Sequence, residues 1–185
     1  MSSASRRSEK RTIVALASLI AGTIFGGVLF VSASTSIGQL GDDIDGEAAG
    51  DNSGSSVSLS AVGTILAIGA YGNDGTGSNA GHVRVYEWNG SGWVQKGADI
   101  DGEATSDYSG VSVSLSSDGT TVAIGAEGNG GNGSGAGHVR VYAWNGSGWV
   151  QKGADIDGEA GGDFSGYSVS LSSDGTTVAI GAYLN

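Results

Sequence analysis

The chain has no cysteine and no proline among its 185 residues. Without cysteine there is no disulfide scaffold, no thiol nucleophile, and no thiolate-ligated zinc or iron–sulfur centre. If such a chain is exported, packing alone must hold it together. Without proline or a three-residue period, its 36 glycines do not make collagen or a Pro-rich linker. Positive charge is scarce too, with 8 basic residues against 19 acidic ones and a formal net charge of −11. Four of the basic residues, Arg6, Arg7, Lys10 and Arg11, fall with Glu9 in the first eleven positions. Setting that segment aside leaves 8 − 4 = 4 basic and 19 − 1 = 18 acidic residues, a net charge of −14. A surface of this sign repels phosphate backbones, which argues against nucleic acid as a partner and favours solubility or divalent cations.

There is one long hydrophobic run, over residues 12–33, which carry no charge and come directly after the basic residues 1–11. A basic stretch succeeded by an apolar one is an export signal. Val31 and Ala33 supply the small-x-small pattern for cleavage after Ala33. The run is also about as long as the roughly 20 residues that cross a bilayer, so it equally fits a retained signal-anchor helix. In both cases residues 1–11 stay cytoplasmic and the rest of the chain is extracellular or otherwise outside the cytoplasmic membrane.

The remainder of the chain is one unit repeated. The stretch DIDGEA at residues 43–48 returns at 99–104 and 155–160, each time after 56 residues and without insertion. Residues 43–98 and 99–154 are full units, 155–185 a partial third, and residues 37–42 align with the closing piece of a unit, so a closing strand is expected there. In the second unit, residues 112–116 alternate Ser with Val113 and Leu115, as in a strand with one apolar face. Asp118-Gly119 suits a type I′ hairpin turn, giving expected turns at residues 61–64, 117–120 and 173–176. Residues 121–126 read as a second strand, with Val122 and Ile124 on one face and small Ala123 and Gly125 on the other, permitting close sheet approach. Next come a Gly-, Asn- and Ser-rich loop, a third strand over residues 138–144 and a fourth from Trp149, the last two joined by an Asn-Gly turn that Trp144 and Trp149 flank. Four short antiparallel strands per unit, linked by the acidic stretch, make the chain all-β and point to the blades of a β-propeller. A β-solenoid is the alternative, although its parallel coils do not use hairpin turns.

Each unit resembles the FG-GAP repeat, the blade unit of integrin α-chain head domains and of many exported proteins. The resemblance spans residues 37–185 and rests on Gly110 with Ser112-Val113-Ser114-Leu115, on Ala123-Ile124-Gly125-Ala126, on Gly137 with Val139-Arg140-Val141-Tyr142, and on the closing Trp149. It implies a partial propeller used in adhesion or ligand binding, with an extracellular protein or glycan as partner. The departures are specific. Ser53, Ser109 and Ser165 replace the Phe of the FG dipeptide, with Tyr108 and Phe164 one residue earlier to fill its space, and Tyr71, Glu127 and Tyr183 stand where GAP has Pro. The family's calcium loop between the first two strands is here a tight turn, so its site does not transfer to Asp118 or Asp174.

The candidate metal ligands are instead the carboxylates of DxDGExxxD: Asp43, Asp45, Glu47 and Asp51; Asp99, Asp101, Glu103 and Asp107; Asp155, Asp157, Glu159 and Asp163. Clustered carboxylates beside a glycine turn are what Ca²⁺ requires, while the plainer reading is a solvated turn whose Asp side chains cap backbone amides. No distant bidentate Glu completes an EF-hand-like loop. His82 and His138 are one period apart and read as strand histidines, packed or facing the surface. A glycosidase pair needs two carboxyls in different environments, whereas the repeated glutamates should share one, so the chain is expected to be non-enzymatic. Asn89, Asn132 and Asn145 lie in N-x-S sequons, which carry glycans only in a eukaryotic secretory pathway. The expected function is an exported or membrane-anchored binding module, the alternatives being a passive surface repeat protein or part of a larger calcium-dependent propeller. The half-unit at 155–185 is expected to expose a sheet edge suited to self-association.

Overall fold

The structure, a computed structural model, describes residues 38–185. The basic segment, the expected signal or anchor over 12–33, and Ile37 lie outside the described residues. Among the described residues every regular element is a strand, and the sheets are antiparallel throughout.

In the first sheet β1 (Ser56–Leu59), β2 (Ile65–Ala70) and β3 (His82–Trp88) pair in order. The other edge of β3 is shared by two short strands: β4 (Trp93–Gln95) pairs with Tyr86–Trp88, and β5 (Ile100–Asp101) pairs with His82 and Val83. The second sheet repeats this plan with β6 (Ser112–Leu115), β7 (Thr121–Ala126), β8 (His138–Trp144), β9 (Trp149–Gln151) and β10 (Ile156–Asp157). The hairpin of β11 (Ser165–Leu171) and β12 (Val178–Ala182) is the third. DIDGEA is therefore more than a linker. In its second and third copies the Ile-Asp pair is the outermost strand of the preceding sheet, so the first sheet spans residues 56 to 101, offset from the sequence repeat at 43–98.

The sheets pack face on face through the alternation read from the sequence. Ile65, Ala67, Val83, Val85 and Ile100 of the first sheet meet Val113, Leu115, Val122 and Ile124 of the second in one buried cluster. Small residues set how close the sheets come. The Cα of Gly69 lies 3.1 Å from a Cβ built on Gly110, and Gly125 and Gly166 repeat that separation at the second junction. The serine face of β1 and β6, expected to be the solvated side of a one-faced strand, is also packed. Ser56 donates to Gly110 O and Ser112 to Gly166 O, both at 2.7 Å. Ser58 Oγ accepts from the Leu115 amide, and Ser114 Oγ from the Leu171 amide, both at 2.9 Å. These hydroxyls satisfy backbone groups that the neighbouring sheet shields from water.

Two local expectations are corrected. Asp118 has no positive φ, and of the pair only Gly119, at +69°, enters the left-handed region, so the turn is not type I′. Instead Gly119 N donates to Ser116 O at 3.0 Å inside a four-residue loop closed by Ser116 N to Thr121 O at 2.9 Å. Asp118 stabilises that loop by accepting from Ser116 Oγ at 2.6 Å and from Thr120 N at 2.9 Å. The second correction concerns the closing strand expected at 37–42, whose described part, residues 38–42, forms no strand. It runs instead beside the first tryptophan pair, where Leu40 O accepts from Trp93 Nε1 at 2.9 Å. Trp149 Nε1 repeats this contact one unit later with Lys96 O at 2.8 Å. The tryptophans do pair across their turns as expected, edge to face at 5.6 Å for Trp88–Trp93 and 5.5 Å for Trp144–Trp149.

Candidate functional site

Antiparallel pairing puts the start of β1, the end of β2, the start of β3 and strand β5 at one end of each sheet. The acidic loops, the Gly-rich loops and the positions that differ most between units therefore all meet there.

The four carboxylates of one DxDGExxxD segment do not converge. Asp51, Asp107 and Asp163 are buried and hold their own loops, accepting from the amides of Ala48, Ala104 and Ala160 at 3.2, 3.0 and 2.8 Å. Asp51 and Asp107 also take the side-chain amides of Asn73 and Asn129, at 3.0 and 3.2 Å, which pins the Gly-rich loops onto the acidic ones. Asp43, Asp99 and Asp155 each accept from a glutamine four residues earlier: Gln39, Gln95 and Gln151. Arg84 and Arg140, both buried, donate to the carbonyls of Asp45 and Asp101 at 2.8 and 2.7 Å and lean on Glu47 and Glu103 at 3.8 and 3.4 Å. The capped-turn reading describes Asp51, Asp107 and Asp163, and the four carboxylates of one loop do not form an oxygen cage for Ca²⁺. Asp118 is no better suited, since hydroxyl and amide donors already fill its carboxylate.

Carboxylates from two successive loops do come together, around a histidine. His82 is the first residue of β3, and its Nδ1 lies 3.6 Å from Asp99 Oδ2 and 3.9 Å from Glu47 Oε2. On β8 the His138 Nδ1 lies 3.6 Å from Asp155 Oδ2 as its counterpart does from Asp99, but its second carboxylate neighbour is Asp157 Oδ1, at 3.9 Å, rather than Glu103. The triads Glu47–His82–Asp99 and Glu103–His138–Asp155 each offer one ligand atom per residue within 4.8 Å of one another. Asp43, Asp45, Asp51, Asp101, Asp107, Asp157, Glu159 and Asp163 fall outside these triads. Burial, and then the Arg140 guanidinium, push the His138 imidazole below its ordinary pKa, which favours the neutral ring. Burial, reinforced by Asp99, raises the Asp101 carboxyl. Reading His82 and His138 as packed strand residues is correct as far as burial goes. What the sequence alone misses is that carboxylates 35 residues before and 17 residues after each histidine fold onto it. The signal available was the shared 56-residue period of all three residue types.

The aromatic side chains at the variable positions form a second constellation at this end. Phe164 stacks on Tyr183 at 5.5 Å, Tyr167 meets the same Tyr183 at 4.6 Å, and Tyr71 meets Tyr108 edge-on at 6.2 Å. Tyr108 and Phe164 adopt φ of +55° and +53° and are only partly buried, so neither fills an interior Phe space. Ser109 does sit inside, fully buried, with its hydroxyl unpartnered.

Neither the protein-family models nor the curated proteins contain a match to this chain.

Proposed function

We propose that the chain is the ligand-binding or adhesion module of a non-enzymatic protein exported from the cell or anchored through residues 12–33, its sheets being successive blades of an FG-GAP-like β-propeller. One observation carries this reading. The units are nearly identical along their strands yet differ at Asn52/Tyr108/Phe164, Ser55/Val111/Tyr167 and Tyr71/Glu127/Tyr183, and in the third unit the differing positions are three aromatic residues, Phe164 and Tyr167 each meeting Tyr183 at one end of the sheets. Tyr167 and Tyr183 are more than half exposed, at 52% and 56%. A binding surface uses large, rigid side chains of this kind. The face-to-face succession of antiparallel sheets, the first two each closed by a split outer strand, supports the blade reading. The repetition supports the non-enzymatic one, because the two triads have the same composition and no differentiated acid–base pair.

The full chain should retain one partner class, an extracellular protein or a glycan, on arrays of both. A Phe164→Ser/Tyr167→Ser/Tyr183→Ser variant should lose at least tenfold in affinity. Retention of nothing by the full chain, or equal binding by the variant, would favour a passive surface repeat protein. Protease added to intact cells should remove the repeats, and their protection under conditions where the protease reaches the membrane surface would overturn export.

A further inference from the structure

We propose that Glu47, His82 and Asp99, and one period later Glu103, His138 and Asp155, are two equivalent binding sites for a divalent first-row transition ion of the zinc class. These sites are independent of the binding-module reading, since no aromatic residue of that surface is a ligand.

The geometry is close to a coordination shell. Metal bonds of about 2.1 Å place neighbouring ligand atoms roughly 3.0–3.4 Å apart. The nitrogen-to-oxygen separations of 3.6 and 3.9 Å around His82 exceed that by less than about 1 Å, within reach of side-chain rotation. They are also too long for hydrogen bonds. The histidine side chains are 2% and 1% exposed, and among the described residues neither ring makes a hydrogen bond, the Nε2 of His138 being buried without a partner. Buried imidazoles are ordinarily hydrogen-bonded. Here Nδ1 faces carboxylate oxygens, which when ionised have no proton to donate. A cation held between the Nδ1 lone pair and these oxygens would satisfy both.

Charge and ligand type narrow the identity of that cation. Arg84 occupies the flank, pinned to Asp45 O, and touches Glu47 through Oε1, which leaves Oε2 directed at His82. Ca²⁺ takes six to eight oxygen ligands, and two carboxylates with one imidazole do not supply them. One nitrogen with two carboxylate oxygens, completed by water, suits Zn²⁺ and its neighbours in the first transition row. The ligands come from the loop before a sheet, the third strand of that sheet, and the segment between the two short strands that share its outer edge. A bound ion would pin each entry loop onto its sheet, once per period.

Calorimetric titration of the untagged full chain with Zn²⁺ alone at pH 7.5 tests this. Two equivalents per chain are expected, one in His82→Gln or His138→Gln, and none in the double variant. Glu47→Gln with Glu103→Gln alters half-exposed groups, at 46% and 47%, and should weaken both sites at least tenfold even if the histidine variants fail to fold. The wild-type melting temperature should rise with Zn²⁺, that of the double histidine variant should not, and the glutamate variant should need at least tenfold more Zn²⁺ for the same rise, because an ion held only by the folded state stabilises it. No Zn²⁺ uptake at millimolar concentration would overturn the proposal. So would a stoichiometry that the substitutions leave unchanged, or binding of Ca²⁺ in preference to Zn²⁺.

Discussion

Gly125 offers a sharp test of the face-to-face packing. A methyl group there would run into the carbonyl oxygen of Gly166 and into Ser112 Oγ. The first obstacle is backbone, held in place by the 2.7 Å hydrogen bond from that same Ser112 hydroxyl, so no side chain can swing aside to relieve the clash. Relief requires the β11–β12 hairpin to move away from β7, which loosens the Ser114–Leu171 and Ser117–Ser173 bonds across the junction. Overpacking of this kind costs about 1–3 kcal/mol. Replacing glycine by alanine returns about 0.4–1 kcal/mol by restricting the unfolded chain, so Gly125→Ala should lose up to about 2.6 kcal/mol, with a central value of about 1.3 kcal/mol. For a unit of this size each kcal/mol lowers Tm by about 2–4 °C. Urea unfolding gives the global value, and hydrogen exchange at the Leu171 and Ser117 amides reports the junction itself. Gly148→Ala is the control, having open space around a built Cβ and no positive φ. It should be neutral or slightly stabilising. Equal stability and equal exchange protection in Gly125→Ala and wild type would refute the reasoning.

Leu59 and Leu115 occupy the same repeat position but are 57% and 7% exposed, so Leu115→Ala should cost about 2–4 kcal/mol in urea unfolding and Leu59→Ala under about 1 kcal/mol. Equal costs would contradict the order of stacking. Ser109→Ala removes a buried hydroxyl that has no partner, and should leave Tm unchanged or raise it, whereas a fall of several degrees would reveal a missing donor or acceptor. The Ser116 hydroxyl, and then the Thr120 amide, hold the Asp118 carboxyl below its ordinary pKa. The stability this adds is complete above the unfolded value near 4 and is lost as pH falls through the lower folded value. Because the group is exposed, Asp118→Asn should cost under about 1 kcal/mol at pH 7, and the difference from wild type should vanish in strong acid. A difference that stays constant with pH would show that charge plays no part.

Much of the fold was legible because the repeat exposes its own grammar. The alternation at residues 112–116 and 121–126, the turn residues between them and the flanking tryptophans are local signals, and each strand appears where its pattern lies. Where structure and sequence pattern part, the cause is distance in the chain. Ile100-Asp101 reads as a linker until β3 offers it an edge, and the serine faces read as solvated until another sheet lies on them. The candidate site divides in the same way. That Asp51, Asp107 and Asp163 cap their loops comes from neighbours within three residues, whereas the meeting of Glu47, His82 and Asp99 comes from sheet pairing across the whole unit.

By itself the sequence determines the 56-residue period, the antiparallel hairpins and the chemistry each unit carries, since these depend on steric and hydrogen-bonding preferences of nearby residues. It assigns Val57 and Val113 the same role, for they are the same letter in the same strand. Only the tertiary structure separates them. Val113 is 9% exposed because a sheet precedes it in the stack, and Val57 is 62% exposed on the first described sheet. Burial belongs to a residue's place among packed layers, which no window of local sequence contains.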